Sequence, residues 1–286
     1  MENREVIFGK AMLKELNLPH KDSHKGENGR VLVIGGSSLF HSASLWAAQL
    51  LAYFVDMVFY YSPYSLNRSL MLANKKHFQN GIVLSETDLD SYCLEADVIL
   101  IGPGMKRRGK ENDPEGVLTR KLTNSLLRKY PHKKIVIDAG ALQELDLVNL
   151  QKSYLLTPQW REFSNLFPRY RENFSGLLAK YPANYLIKKS GVDYGLSWEE
   201  PEKRIKISAG NEGLTKGGTG DLLAALCAAF YVKNPALLAA ASASYTLNKT
   251  AELLFESQGP FYSTTQLLEK IPLVFWSLLS DSKNLK

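Results

Sequence analysis

The sequence predicts an α/β fold: a three-layer sandwich with helices on both faces of a mainly parallel sheet. Three observations lead there. Short apolar runs alternate with helical patterns along the chain, as βαβ units require. The 286 residues are 45% hydrophobic and 22% charged, an ordinary soluble composition in a chain long enough to bury a large core. No linker, low-complexity segment or repeat divides the chain, so residues 1–286 read as one domain.

The elements follow in order. GRVLVIGG (Gly29 to Gly36) is a buried strand, and SASLWAAQLLAYF (Ser42 to Phe54) is the helix after it. DMVFYYS is a second strand. GIVLS and ADVILIGPG are further strands, with DLDSYCLE as a short helix between them. PEGVLTRKLTNSLLRKY has helical spacing, with Val117, Leu118, Leu122, Leu126 and Leu127 on one face. KKIVIDAG is another strand. After a short helical stretch come KSYLLTPQ and then REFSNLFPRY. NYLIKKSG, DYGLSW and RIKISAG read as strands, and residues 220–231, 235–256 and 264–280 as helices. The alanine-rich PALLAAASASYTLNKTAELLF can pack closely on helices of its own chain or of another.

Charge and composition exclude several classes. The formal charge is +6. Its densest clusters, MKRRGK (Met105 to Lys110) and RKYPHKK (Arg128 to Lys134), lack the aromatic interleaving of a single-strand binder, so they read as solvated faces or loops and no nucleic acid is expected. Cys93 and Cys227 stand far apart in apolar surroundings, which predicts two reduced core thiols. No apolar run is long enough to span a membrane, and the first residues lack a secretory apolar core, so a cytoplasmic protein is expected. Trp46 and Phe54 read as core. Tyr64 is a candidate for ligand stacking, and His24, His77 and His132 read as exposed.

In open α/β sheets, ligands bind beyond the carboxyl ends of the strands. Six strands here end on small or polar residues: Gly35-Gly36-Ser37-Ser38, Gly102-Pro103-Gly104, Asp138-Ala139-Gly140, Thr157-Pro158-Gln159, Lys188-Lys189-Ser190-Gly191, and NEGLTKGGTGD after RIKIS. Six such ends point to a cleft for a polar ligand. In the last of them, Gly217, Gly218 and Gly220 let a ligand approach the main chain. A helix starting near Thr219 would aim unpaired amides and its dipole at an anion, with phosphate as the natural occupant. Asp221 falls in the first turn. The dipole favours its charged form, and a carboxylate there can deprotonate a hydroxyl attacking a phosphoryl group. The lysine precedes the glycines and no GxGxxG is present, which argues against a P-loop or a Rossmann site.

GGTGD before an apolar helix resembles the anion hole and catalytic aspartate of ribokinase-like kinases. KGENGRVLVIGGSS, ADVILIGPGM, VIDAGAL, LLTPQWREFSNLF, LIKKSG and GNEGLTKGGTGD, in that order from about Lys25, together resemble the ADP/ATP-dependent NAD(P)H-hydrate dehydratase family. The resemblance implies a ribokinase-like three-layer α/β/α sandwich. It also implies repair of NADH or NADPH whose nicotinamide ring has taken up water. ADP or ATP phosphorylates the ring hydroxyl, phosphate leaves, and the double bond returns. On this reading Asp221 is the base, and Gly218, Thr219 and Gly220 hold the transferred group. Lys188, Lys189, Ser190, Gly191, Asn211 and Gly220 lie at the nucleotide. Ala43, Gly104, Gln159 and Asp221 lie at the hydrated substrate, and Asp138 and Glu162 act indirectly on Mg2+. A homo-oligomer is expected.

The chain departs from the family pattern at several positions. Gln159 replaces a histidine, Arg161, Lys106 and Lys189 replace glycines, Gly140 replaces an aspartate, Ser42-Ala43 replaces Gly-Ala, and Phe40 replaces a tyrosine. These changes are expected mainly on the walls facing the hydrated nicotinamide and the metal. Two other functions fit the same motifs: a kinase of another small alcohol, of the hydroxymethylpyrimidine or hydroxyethylthiazole type, and a paralogue that binds nucleotide without turnover.

Overall fold

The computed structural model describes residues 4–74, 81–109, 113–208 and 210–283. His77, Lys110 and Ala209 lie outside them. The strands are β1 (Arg4–Ile7), β2 (Arg30–Ile34), β3 (Met57–Tyr61), β4 (Gly81–Val83), β5 (Val98–Ile101), β6 (Lys134–Ile137), β7 (Tyr154–Leu156), β8 (Asn184–Lys189), β9 (Val192–Ser197) and β10 (Lys203–Ser208). They form one sheet in the order β1-β10-β9-β8-β7-β6-β5-β2-β3-β4. Only β9 runs against its neighbours. The carboxyl ends of β2, β5, β6, β7, β8 and β10 therefore emerge at the same edge, and these are the six strand ends singled out by their small and polar residues.

The helices are α1 (Ser42–Leu51), α2 (Ser65–Ala73), α3 (Leu89–Glu95), α4 (Pro114–Lys129), α5 (Ala139–Glu144), α6 (Trp160–Leu166), α7 (Phe174–Lys180), α8 (Thr219–Tyr231), α9 (Ala236–Gln258) and α10 (Thr264–Lys283). Strand side chains alternate between two cores. Val31, Val33, Val58, Leu100 and Val136 face α1, α8, α9 and α10. Leu32, Ile34, Phe59, Ile101 and Ile137 face α3 to α7. Burial on both faces is why the strands read as unbroken apolar runs. Helix layers on both faces of the sheet make the three-layer α/β/α sandwich expected from the sequence.

α8 is buried along almost its whole length. Its alanines, with Ala47 and Ala48 of α1 and Ala239, Ala240 and Ala243 of α9, let these helices pack closely on one side of the sheet. The alanine-rich helix thus packs within its own chain. Both cysteines are buried free thiols, as expected. No helix among the described residues is long and apolar enough to cross a membrane.

Several sequence expectations change. β1, α2 and α7 carry too few patterned residues to announce themselves; β1 has four residues and is held by pairing with β10. On α4, Val117 and Leu118 are exposed, and the inner face instead carries Gly116, Thr119, Thr123, Asn124, Leu126 and Leu127. Asn124 anchors that face by donating to Arg120 O (2.8 Å) and Glu144 O (3.0 Å) and accepting from Asp146 N (2.7 Å). The cluster RKYPHKK is not simply solvated. Lys133 Nζ binds the carbonyls of Leu94 and Ala96, and Lys134 Nζ those of Tyr231 and Val232. These lysines serve the carboxyl ends of α3 and α8, where carbonyls lack helical partners.

Candidate active site

α8 starts at Thr219, with Gly218 before it at φ +96°. That conformation favours glycine, and a Cβ on Gly218 would fall 2.4 Å from the Trp46 ring. Gly217 and Gly220 are different: a Cβ on either would meet nothing within 4 Å. Packing does not demand these two glycines, and the space beside them is cavity. The loop is fixed from behind. Thr219 Oγ1 donates to Leu214 O (2.7 Å) and Lys216 O (3.0 Å), and Thr264 Oγ1 to Gly217 O (2.7 Å). The helical ladder opens with Leu222 N donating to Gly218 O (3.0 Å), so the Gly220 amide stands ahead of it. A rigid loop with leading amides is an anion site.

Asp221 follows. Burial pushes its pKa up to about 6, opposite to the direction expected from the helix dipole, because desolvation of the carboxylate outweighs the hydrogen bond from its own backbone amide. Asp138 lies deeper and accepts from Thr157 Oγ1 (2.8 Å). Its carboxyl is raised well above the ordinary range by burial first, then by the charges of Asp221 and Glu162. Glu162 is raised by burial, although Gln159 N (3.0 Å) and Gln143 Nε2 (2.7 Å) both donate to it. Ala139, next to Asp138, has φ +45°, and a Cβ on Gly102 would fall 1.8 Å from Asp138 O. The close approach of these two strand ends depends on that glycine.

The three carboxyls do not make a metal cage: among the described residues no group of three potential ligands is close enough to hold an ion. Their shared negative potential fits Mg2+ bound chiefly through water and phosphate oxygens, the usual habit of this ion.

Two cavities meet here. One, of about 880 Å³, is lined by Phe40, His41, Ala43, Trp46, Gly104 and the segment Met105 to Gly109. The other, of about 750 Å³, is lined by Asp138, Gln159, Lys188 to Gly191, Asn211, Thr219 and Gly220. Ala139, Glu162, Gly217, Gly218 and Asp221 belong to both. In the second cavity Lys188 is the register partner of Asp193 across the β8–β9 pair, and Asp193 accepts from Ser244 Oγ (2.7 Å). Lys189 Nζ sits 4.5 Å from the Trp160 ring centroid. Asn211 Oδ1 accepts from Gly213 N (3.1 Å) and Tyr262 Oη (2.6 Å), which fixes the amide; its Nδ2 is buried with no hydrogen-bond partner.

Every residue that the family resemblance places at the site lines one cavity or both, but the grouping changes. Gln159 was placed with Ala43 and Gly104; it lines the second cavity instead, beside Lys188. Trp46, read as core, is half-buried and lines the first cavity. Tyr64 lines neither cavity; its hydroxyl is bound by Glu115. The basic cluster after Met105 is a loop, one of the two readings given to it, and its Lys106, Arg107 and Arg108 also line the first cavity. Gly140 is explained by the same segment, since a Cβ there would fall 2.0 Å from Met105 O. Sequence reasoning passed over His41; the available signal was a polar aromatic side chain just before α1, beyond the end of β2.

The chain is 32% identical over 281 residues to the bifunctional NAD(P)H-hydrate repair enzyme Nnr of Methanocaldococcus jannaschii, covering 94% of this chain and 52% of that protein. The chain thus spans about half the length of the first curated relatives it matches. It is 27% identical to the ATP-dependent (S)-NAD(P)H-hydrate dehydratase of Drosophila pseudoobscura, covering 92% of this chain and 90% of that one. A ribokinase-like superfamily protein from Enterococcus faecalis shares the fold at TM-score 0.81, with 21% identity and coverage of 96% of each chain. The ADP/ATP-dependent NAD(P)H-hydrate dehydratase of Bacillus subtilis, co-crystallized with ATP and Mg2+, shares it at TM-score 0.74, with 18% identity and coverage of 94% of this chain and 97% of that one. Residues 31–273 match the family model of NAD(P)H-hydrate dehydratase, and the chain belongs to that family.

Proposed function

We propose that this chain restores hydrated NADH and NADPH by nucleotide-dependent dehydration, acting as one catalytic domain. The observation that carries this reading is the position of Asp221: a carboxylate at the border of two cavities, one residue past a glycine loop with leading amides. The second cavity takes ADP or ATP. Lys188 and the Gly191 turn flank its phosphates, and the unpartnered Asn211 Nδ2 supplies a hydrogen bond. The first cavity takes the hydrated nicotinamide against Ala43 and Gly104.

The chemistry follows from the placement. Asp221 accepts the proton of the ring hydroxyl as that oxygen attacks the terminal phosphoryl group. The main chain of Gly218, Thr219 and Gly220 stabilises charge on the transferred group. The Thr219 hydroxyl is already bound to two carbonyls, so it shapes the loop. Asp138 and Glu162 would hold Mg2+ through its waters, and the ion would supply neutralisation of the charge on the phosphates. The ring carbon–oxygen bond then breaks and phosphate departs.

Purified protein incubated with hydrated NADH, Mg2+ and either ADP or ATP should regain the absorbance of the reduced nicotinamide. Consumption of nucleotide only with another alcohol would assign the site to a different kinase reaction. A cytoplasmic setting belongs to the same reading and agrees with the two free thiols. So does a homo-oligomer, supported by exposed Leu253, Leu273 and Trp276 on α9 and α10. Sedimentation as a monomer at micromolar concentration would remove the oligomer.

A further inference from the structure

Dehydration releases two protons from the substrate: one from the hydroxyl, and one from the ring carbon beside the carbon that loses oxygen. Asp221 accounts for the first. The second needs a basic atom in the first cavity. The charged groups on that wall are largely engaged. Lys106 Nζ pairs with Asp113 Oδ2 (2.7 Å), Arg108 Nε with Glu144 Oε2 (2.7 Å), and both Glu162 oxygens accept hydrogen bonds.

His41 is the exception. Its Nδ1 lies 2.6 Å from Asn67 Oδ1. Asn67 is fully buried, and its Nδ2 faces Ser37 O (3.0 Å) and Ser62 Oγ (3.1 Å). A backbone carbonyl can only accept, so the amide orientation is fixed and Oδ1 must be the atom facing the imidazole. Nδ1 therefore carries the hydrogen. In the neutral ring this leaves Nε2 with its lone pair, on a side chain that lines the first cavity beside Ala43.

We propose that His41 is the proton acceptor of the elimination half-reaction, held in the required tautomer by Asn67 as a positioning residue. The inference rests on the function proposed above. In this step the ring carbon–oxygen bond breaks and its electron pair leaves on phosphate. The proton of the neighbouring ring carbon passes to His41 Nε2, and the pair from that C–H bond becomes the restored C=C bond. The imidazolium then returns its proton to solvent.

The test separates the two half-reactions by rapid quench. With hydrated NADH, ATP and Mg2+, His41→Ala should form ADP in the first turnover at the wild-type rate. Recovery of the reduced nicotinamide should slow by about 10²-fold or more, as expected for loss of a general base. His41→Gln can keep the bond to Asn67 but has no basic nitrogen, so it should show the same split and guards against a folding defect in the alanine variant. Unchanged recovery in either folded variant, or an equal fall in both half-reactions, would overturn the role of His41. If the wild-type protein itself restores no nicotinamide, the proposed function fails first.

Discussion

Among single residues, Asp221 carries the proposed chemistry. In the proposed role its unprotonated form is the base, so kcat/KM should fall as pH drops through about 6, where burial places its pKa. Asp221→Asn should cut kcat by about 10²-fold or more while nucleotide still binds, as isothermal titration would show. The effect on stability has the opposite sign. The folded carboxyl holds its proton more tightly than the unfolded one. Its charge therefore weakens the fold above about pH 6, and the penalty fades as pH falls toward the unfolded value. Asp221→Asn should melt higher than wild type at pH 7, with the gap closing on acidification. Gly220 gives a second separation of fold from function. It lies inside α8, and a Cβ there meets no protein atom within 4 Å. Gly220→Ala should stabilise the fold through helix propensity by about 1 kcal/mol at most, seen as a higher melting temperature, and abolish turnover by filling space meant for phosphate. Wild-type turnover in this variant would mean that no ligand approaches there.

At the element scale, the segment Met105 to Gly109 marks where sequence reading succeeds and where it stops. Its strand, β5, was plain from an unbroken apolar run, as were β2, β6 and β8. The segment itself rests on two glycines outside it, one near in sequence and one distant: a Cβ on Gly116 would fall 2.1 Å from Arg108 N, and one on Gly140 would fall 2.0 Å from Met105 O. Both obstacles are backbone, so Gly140→Ala should cost about 1–3 kcal/mol in chemical denaturation. A contact such as that of Gly140 leaves no periodic trace, which is why the cluster reads from sequence as a solvated face or loop and not as a wall of the first cavity. The same holds for Gln159, which the isolated bridge to Lys188 carries to the second cavity. The residues beside Asp221 were legible because loop, helix start and carboxylate are contiguous in sequence. His41 was not, because its meaning depends on Asn67, 26 residues away.

At the scale of the whole molecule, six strand ends at one sheet edge bring together residues spread from Gly35 to Asp221. Ligand binding should therefore stabilise the whole sheet. Mg2+ with ATP at about 100 times its Kd should add about 2.7 kcal/mol, seen as a rise of several degrees in melting temperature, in wild type and Asp221→Asn alike. If phosphoryl transfer at Asp221 drives dehydration, nucleotide consumed and reduced nicotinamide recovered can be measured together in one reaction on hydrated NADH. One phosphoryl group should be consumed per nicotinamide recovered, with both lost in Asp221→Asn. Recovery without nucleotide consumption, or none with either ADP or ATP, would contradict that mechanism.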